Sequence, residues 1–205
     1  MESQVAYLHS LLTTHRTLTS RILGLLVLVY VLMAAPPRLV SASLAEVGEL
    51  VGFVLLVVAA FGRVWCLMFI AGRKCEVLMT DGPYSVVRNP LYVFSFIGAV
   101  GLGLAVENPP LAVVMAIIFA VCYPITVAHE EERLSALFGS EYVTYRASTP
   151  RWIPSWRHYH EPPTLIVSPT KVLHGMLDAM WFLWVFLFWE ILEFLRETGV
   201  LTTLF

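Results

Sequence analysis

Two polar segments of this chain carry residue types that bind charged small molecules. In the first, residues 81–92, a Gly-Pro turn is followed by Arg88 and Asn89, which stand directly before Pro90. Proline is favoured at the first position of a helix, where backbone N–H groups are free and the helix dipole is positive. We expect Arg88 to lie on an aqueous loop. Together with this helix start, Arg88 therefore suits an anionic group such as a carboxylate.

The second segment is an acidic run of three glutamates, Glu130, Glu131 and Glu132, followed by an apolar stripe that begins at Leu134. Glu130 and Leu134 are four residues apart on a predicted helix, so they share a face that we expect to point into the protein. Glu132 is rotated from Glu130 by about 200° and is expected to face water. A carboxylate beside an apolar stripe requires a cation or a hydrogen-bond donor.

Both segments also have a simpler interpretation. Basic and aromatic residues, here Arg88 with Tyr84 and Tyr92, gather at the boundary of any membrane protein. The three glutamates are equally compatible with the solvated end of a membrane helix. The residue types alone leave a binding site and a plain membrane-surface segment as alternatives.

Two further basic residues are candidates for contact with a substrate. Arg63 lies inside an apolar run, two residues before Trp65, where an arginine requires an anion, a group of carbonyls or a watery cavity. The end of that run is roughly 12 Å away along a helix, so snorkelling to water is difficult. The pair Arg151 and Trp152 is held between prolines, which we expect to fix it at the membrane surface.

The elements that position these residues are predicted to be membrane helices. Hydrophobic residues make up 58% of the 205 residues and charged residues only 14%, against roughly 45–50% and 25% in a soluble domain. A soluble globule of this length cannot hide so much apolar surface, and the net charge of −2 argues against nucleic-acid binding. Three cysteines and the closely spaced His158 and His160 lack the further ligands of a metal site, so no metal is predicted.

About five membrane helices in one domain, residues 1–205, are expected from the apolar runs. The runs are Ile22–Ala35, Leu50–Ala71, Leu91–Val106, Leu111–Ala128 and Ala179–Trp189, the last within an additional C-terminal helix at 172–197. The first run is short for a span and has a signal peptide as its alternative, while the last either spans the membrane or lies in its interface. A link of four residues between the third and fourth runs predicts an antiparallel hairpin. The predicted fold is an all-α, polytopic membrane bundle.

The distribution of Lys and Arg predicts the orientation of the chain. With a cytoplasmic N-terminus, ten of these residues lie in cytoplasmic segments and two, Arg38 and Arg196, lie outside. The positive-inside rule therefore favours an N-terminus in the cytoplasm. The 72–90 loop and the 129–171 segment then share the cytoplasmic face, where a single site can be assembled from both.

Four segments, in this order, resemble the isoprenylcysteine carboxyl methyltransferase family, to which phospholipid N-methyltransferases are related. They are Arg63–Trp65, Leu78–Tyr92, Glu130–Tyr145 and Pro150–Pro154, so the resemblance covers about residues 60–154. It implies an integral-membrane helical enzyme with a pocket for S-adenosylmethionine (SAM) at the cytoplasmic face. Asn89 stands where the family usually has a histidine.

The resemblance also implies roles for individual residues. It assigns cofactor binding to Tyr84, Arg88, Asn89, Pro90, Tyr92, Glu130, Glu131 and Leu134. Arg88 and Glu130 become the candidate catalytic residues. The implied reaction methylates a lipid or lipidated acceptor, foremost the carboxylate of an isoprenylated cysteine, with a phospholipid amine or a small thiol as alternatives. Two other classes stay open, a membrane sterol reductase that uses NADPH and a non-enzymatic membrane scaffold.

Overall fold

A computed structural model describes residues 41–72 and 76–199, and within these ranges every regular element is a helix. The predicted all-α fold is therefore confirmed. The run Ile22–Ala35 lies outside the described residues, and so does most of the N-terminal segment on which the orientation rests. The orientation and the single domain over residues 1–205 stay predictions.

Seven α-helices are present in the described ranges. They are α1 (Ala42–Ile70), α2 (Pro83–Val86), α3 (Pro90–Ala105), α4 (Pro109–Phe138), α5 (Ser140–Ser148), α6 (Pro169–Ala179) and α7 (Trp181–Glu197), with a 3-10 turn at Trp156–His158. The chain divides into two compact units, and every candidate site residue belongs to the larger one, which ends at Phe188. In the other unit, the Arg196 guanidinium lies 5.7 Å from the ring centroid of Trp189.

Among the residues that the structure describes, two helices are long and apolar enough to cross a membrane. Ser43–Ile70 of α1 has 28 residues and α4 has 30, against the roughly 20 that a span requires. Both present exposed apolar residues along one side, such as Val54 and Val58 on α1 and Ile117 and Val121 on α4. A lipid-facing surface has this character, so the second and fourth predicted spans are confirmed as candidate membrane helices.

Helix α3 packs closely against α1 through small residues. A Cβ atom added to Gly52 would lie 2.3 Å from the backbone of Ala105, and one added to Gly62 would lie 2.2 Å from the ring of Phe94. These pairs show that α1 and α3 run antiparallel. Helix α3 has 16 residues and is about 24 Å long, so the predicted third span is shorter than a full membrane crossing.

The predicted hairpin between the third and fourth runs is confirmed. Helix α4 begins at Pro109, and the buried side chain of Asn108 accepts a hydrogen bond of 3.0 Å from the backbone N–H of Leu111. This cap satisfies one of the free donors at the helix start. Gly103 of α3 lies so close to Ala112 of α4 that an added Cβ would meet its backbone at 2.4 Å.

The prediction of one helix over 172–197 is wrong, because the chain breaks at Met180. Helices α6 and α7 are bent by 45° relative to each other and together form a third candidate span. The Arg63 guanidinium donates to the carbonyl of Asp178 at 3.3 Å, an acceptor that an unbroken helix would pair with residue 182. A side chain that enters the hydrogen-bond ladder in this way is a recognised cause of a kink.

Candidate functional site

The tight turn predicted at the Gly-Pro pair is present and positions the first polar segment. Gly82 has φ of 56°, a conformation that glycine adopts easily, and the ring of Phe69 lies 2.3 Å from where a Cβ would be. Pro83 then begins the single turn of α2, and the Ser85 hydroxyl donates to the Gly82 carbonyl at 2.7 Å. The turn places Arg88 and Asn89 directly before α3.

The segment after α5 is fastened along this turn by backbone hydrogen bonds. Arg88 N–H donates to the Pro150 carbonyl at 2.9 Å, and Ser155 N–H donates to the Val86 carbonyl at 2.9 Å. A third bond, from Gly82 N–H to the carbonyl of residue 160, measures 2.8 Å. The loop before α3 and the segment after α5 therefore lie on the same side of the helices, as the sequence predicted.

Glu131 of α4 is the centre of a buried charged cluster. Its Oε1 lies 3.6 Å from Nη2 of Arg88 and 3.3 Å from Nε of Arg151. The amide nitrogen of Asn89 donates to the same oxygen at 3.4 Å and to the backbone carbonyl of Arg151, also at 3.4 Å. Two guanidinium groups thus share one carboxylate, and we call these four residues the Arg88 cluster.

Arg88 is buried, so the expectation that it lies on an aqueous loop is wrong. Its side chain is only 9% exposed, because the segment from Pro150 to Ser155 runs beside it. Its Nε and Nη1 atoms are buried without a hydrogen-bond partner among the described residues. Buried donors in proteins are nearly always paired, so the cluster has unused capacity to bind an anion.

Glu130 and Glu132 face the directions that the helix period predicts. The Tyr92 hydroxyl of α3 donates to Oε2 of Glu130 at 2.8 Å. The Glu132 side chain is 77% exposed and lies 3.7 Å from His129. Glu131 is nevertheless the most buried of the three glutamates, which the sequence reasoning assigned only through the family resemblance. Its spacing of three residues from Leu134 is the signal that would have shown it.

Tyrosines of α5 pack beside the turn that precedes Arg88. Tyr142 and Tyr145 form a buried apolar cluster with Leu78, and Leu134 packs against it. The Tyr145 hydroxyl donates to the backbone carbonyl of Tyr84 at 2.7 Å. Loss of solvent contact raises the pKa of both Tyr84 and Tyr145 above the usual range for a phenol. These hydroxyl groups are therefore neutral hydrogen-bond donors.

The candidates for contact with a substrate, Trp65 on α1 and the pair Arg151 and Trp152 after α5, have different surroundings. Trp65 of α1 stacks on Trp156 with ring centroids 6.3 Å apart and planes within 9°, and Tyr159 joins this group. Sequence reasoning missed Trp156, which begins the 3-10 turn, and Tyr159, which follows that turn. The guanidinium of Arg151 lies 5.9 Å from the ring centroid of Trp152.

In the part of the chain that the structure describes, no group of three His, Cys, Asp or Glu side chains could hold a metal ion. His160 instead lies 3.0 Å from the Asp81 carboxylate, and its backbone N–H donates to Ser85. These contacts fasten the end of the irregular segment to the Gly-Pro turn.

Comparison with known proteins places these residues in a family. The family model for phospholipid methyltransferases matches residues 50–141. The nickel-cobalt-cadmium resistance protein NccN of Alcaligenes xylosoxydans xylosoxydans is 34% identical over 96% of this chain and 91% of its own length. The cobalt-zinc-cadmium resistance protein CzcN of Cupriavidus metallidurans is 35% identical over 70% of this chain and 66% of its own.

More distant similarity reaches enzymes of known activity. The protein-S-isoprenylcysteine O-methyltransferase of Schizosaccharomyces pombe is 33% identical over 40% of this chain and 35% of its own length. Methyltransferase B of the same kind from Arabidopsis thaliana is 30% identical over 43% of this chain and 45% of its own. No solved structure shows a significant match. The chain therefore belongs to the membrane methyltransferase family that includes the phospholipid and isoprenylcysteine carboxyl methyltransferases.

Proposed function

We propose that this chain transfers a methyl group from SAM to a lipophilic acceptor, with the cofactor held by the Arg88 cluster. The chain's membership of a membrane methyltransferase family supports the reaction class. The proposal adds the cofactor, its position and the class of acceptor. Our orientation prediction puts this site at the cytoplasmic face.

The surplus of positive charge in the Arg88 cluster is the observation that carries the proposal. Arg88 and Arg151 share the single carboxylate of Glu131, and Arg88 keeps two buried nitrogen atoms, Nε and Nη1, without a partner among the described residues. A buried cation that is incompletely paired is unfavourable, so the cluster fits an anionic ligand group. SAM ends in an amino acid whose carboxylate is such a group.

The neighbouring residues fit the remaining parts of the cofactor. Glu130, held by the Tyr92 hydroxyl at 2.8 Å, suits an ammonium or a ribose hydroxyl group. The ring of Tyr92 contacts Tyr123 at 5.2 Å between centroids, and such aromatic faces attract cations. When bound, SAM supplies an electrophilic methyl group on a sulfonium ion.

The chain's own residues then act mainly by position and by exclusion of water. Methyl transfer is an in-line displacement, for which the alignment of the two reactants matters most. Asn89 does not titrate near neutral pH and therefore does not serve as a base. A carboxylate acceptor has no proton to lose, whereas an amine or thiol does. Glu130 is our candidate to take that proton when the acceptor is an amine or a thiol.

The isoprenylcysteine carboxylate is our first choice of acceptor, and a phospholipid amine or a small thiol is the alternative. NccN and CzcN are named for metal resistance. We propose the same cellular setting for this chain, with an acceptor in the membrane as the methylated component.

Binding of radiolabelled SAM to the detergent-purified protein tests the proposal. We expect saturable binding, followed by transfer of label to a farnesylated N-acetylcysteine, to phosphatidylethanolamine or to an alkylthiol. Arg88→Gln should weaken SAM binding, while Arg146→Gln, which removes an exposed arginine from α5, should leave it unchanged. Binding of NADPH instead of SAM would support a reductase, and binding of neither would support a scaffold.

A further inference from the structure

A second charged group lies between α1, α3 and α6 and contains none of the residues of the Arg88 cluster. Arg63 of α1 has a side chain that is 15% exposed. Its Nη1 donates to the Ser95 hydroxyl of α3, and its Nη2 donates to the backbone carbonyl of Asp178 of α6 at 3.3 Å. We call these three residues the Arg63 cluster.

The Arg63 cluster lies where the C-terminal candidate span is broken. The guanidinium contacts Asp178 in the last turn of α6 and lies 5.9 Å from the ring centroid of Phe182 in the first turn of α7. Irregular backbone at membrane depth is tolerated where it is buried in protein or lines a polar cavity. The break and the arginine together therefore form a polar site within an apolar helix bundle.

The pairing of Arg63 is incomplete and its counter-ion is weakly held. Arg63 Nε is buried, and no described residue accepts a hydrogen bond from it. The Asp178 carboxylate lies 3.4 Å from Nη2, and its side chain is 86% exposed. The protein covers little of this carboxylate, so another anion can replace it without displacing a packed side chain. Arg63 itself stays buried and continues to require an anion.

The depth of Arg63 limits which anions can reach it. It lies seven residues before the end of α1 at Ile70, about 10 Å along the helix. An anion at this depth is expected to be attached to a lipophilic molecule. Ser95, the partner of Arg63, follows Tyr92 by three residues on α3, about 4.5 Å along its axis. The Arg63 cluster is thus about one helical turn from the Tyr92–Glu130 pair.

We propose that Arg63 binds an acidic group of the lipophilic acceptor, a carboxylate or a phosphate, and that Asp178 is the counter-ion which this group displaces. The inference rests on the proposed function, because the bound lipid is taken to be the methyl acceptor. Arg63 is then a specificity-determining residue, which selects acidic lipids over neutral ones. Asp178 keeps the arginine paired while no acceptor is bound.

Direct binding of acidic lipids tests this inference without the need for turnover. Radiolabelled oleate provides the carboxylate, lysophosphatidic acid the phosphate, and oleyl alcohol a neutral control, each with the purified protein in a non-ionic detergent. We expect at least one of the two acids to bind at least about 10-fold more tightly than the alcohol, since a charge-assisted hydrogen bond accounts for such a factor. Binding of oleate alone identifies a carboxylate ligand, and binding of lysophosphatidic acid alone identifies a phosphate.

Paired variants separate ligand binding from a structural role. Arg63→Gln should weaken binding of the acid about 10-fold, Arg63→Lys should weaken it less, and Asp178→Asn should tighten it about 3-fold, because a competing anion is removed. Arg157→Gln, at an exposed arginine, controls for the loss of one positive charge at the protein surface. Thermal melts identify any variant that fails to fold, and Asp178→Asn then carries the test by itself.

Two results would overturn the inference. One is equal binding of acids and alcohol by the wild-type protein. The other is unchanged acid binding in a folded Arg63→Gln protein together with no tightening in Asp178→Asn, which would leave Arg63 only a structural contact at the break. SAM binding is measured on the same samples. Normal SAM binding with either result contradicts this inference alone, whereas absent SAM binding contradicts the proposed function.

Discussion

The Arg88 cluster and the Arg63 cluster differ in how a buried arginine is neutralised. Each holds a buried arginine against a carboxylate, at 3.6 Å in the first and 3.4 Å in the second. The side chain of Glu131 is 10% exposed, whereas that of Asp178 is 86% exposed. A buried carboxylate cannot leave without great loss of stability, while an exposed one can. The first pair therefore acts as a fixed frame and the second as an exchangeable contact.

Glu131→Gln should cause the largest effect and is the strongest test of this comparison. It leaves the buried guanidinium of Arg88 and the partly exposed guanidinium of Arg151 without their shared carboxylate, which lowers the free energy of unfolding by about 3–5 kcal/mol. Asp178→Asn should lower it by less than about 1 kcal/mol. Thermal or denaturant melts in detergent measure both. Glu132→Gln, at an exposed neighbour of Glu131, is the control, and equal losses in all three variants would end the distinction between fixed and exchangeable pairs.

Arg88→Gln should come next in size. The loss of one charge-assisted contact weakens SAM binding by about 10- to 150-fold, which corresponds to roughly 1.5–3 kcal/mol. Since Arg88 is buried rather than on an aqueous loop, we also expect a lower melting temperature. Equilibrium binding of radiolabelled SAM at a temperature where the variant is folded separates the two effects. Native SAM affinity in that folded variant would remove Arg88 from the cofactor site.

Glu130→Gln and Glu132→Gln should differ in methyl transfer. Glu130 faces Tyr92 and the proposed cofactor, so loss of its charge should reduce the rate at saturating acceptor by about 10-fold or more. Glu132 is exposed, and its variant should keep near-native activity. Both proteins are compared at matched thermal stability. A greater loss at Glu132 would contradict the assignment of Glu130, and equal losses would indicate a general effect of the acidic run.

Tyr145→Phe should give the smallest effect, and it tests the contact between α5 and the turn that precedes Arg88. Burial raises the pKa of this phenol above its ordinary value of 10.0. The unfolded chain therefore loses this proton at lower pH than the folded protein does. Stability from this group is full below about pH 10 and falls as the pH rises further, by up to about 1.4 kcal/mol per pH unit.

Melts between pH 8 and pH 11 measure this slope. In Tyr145→Phe the alkaline loss should be smaller, although Tyr84 continues to contribute because its pKa is raised as well. At neutral pH the variant should lose about 1 kcal/mol with the hydrogen bond to the Tyr84 carbonyl. An alkaline slope identical to that of the wild type would show that Tyr145 does not titrate differently in the two states.

The local elements of this fold could be predicted because their signals are local. Apolar runs marked α1, α3 and α4, prolines marked the starts of α3 and α4, and the Gly-Pro pair marked the turn before Arg88. The same period of 3.6 residues separated Glu130 from Glu132. These features depend on residues within a few positions of each other, so the sequence pattern contains them.

The features that escaped prediction depend on contacts between distant parts of the chain. The break at Met180 has no proline, and Arg63, whose guanidinium takes the Asp178 carbonyl, lies 115 residues earlier. Arg88 is buried by a segment that begins about 60 residues later, at Pro150. Both effects arise from tertiary packing, which no window of the sequence displays. The central position of Glu131 was missed for another reason. Glu130 is four residues before Leu134 and Glu131 is three residues before it, so the helix period places both on the face of Leu134.

The glycine-lined contact between α1 and α3 restricts how a lipid can approach the site. At Gly52 and Gly101 the two helices are so close that even one added methyl group would meet atoms of the other helix at 2.3 Å and 2.8 Å. An acyl or prenyl chain is wider than a methyl group, so it cannot pass between α1 and α3 without separating them. Lateral entry from the bilayer along this line is closed. An acceptor must arrive on another side, and substitution of these glycines by bulkier residues would disturb the fold before it altered that route.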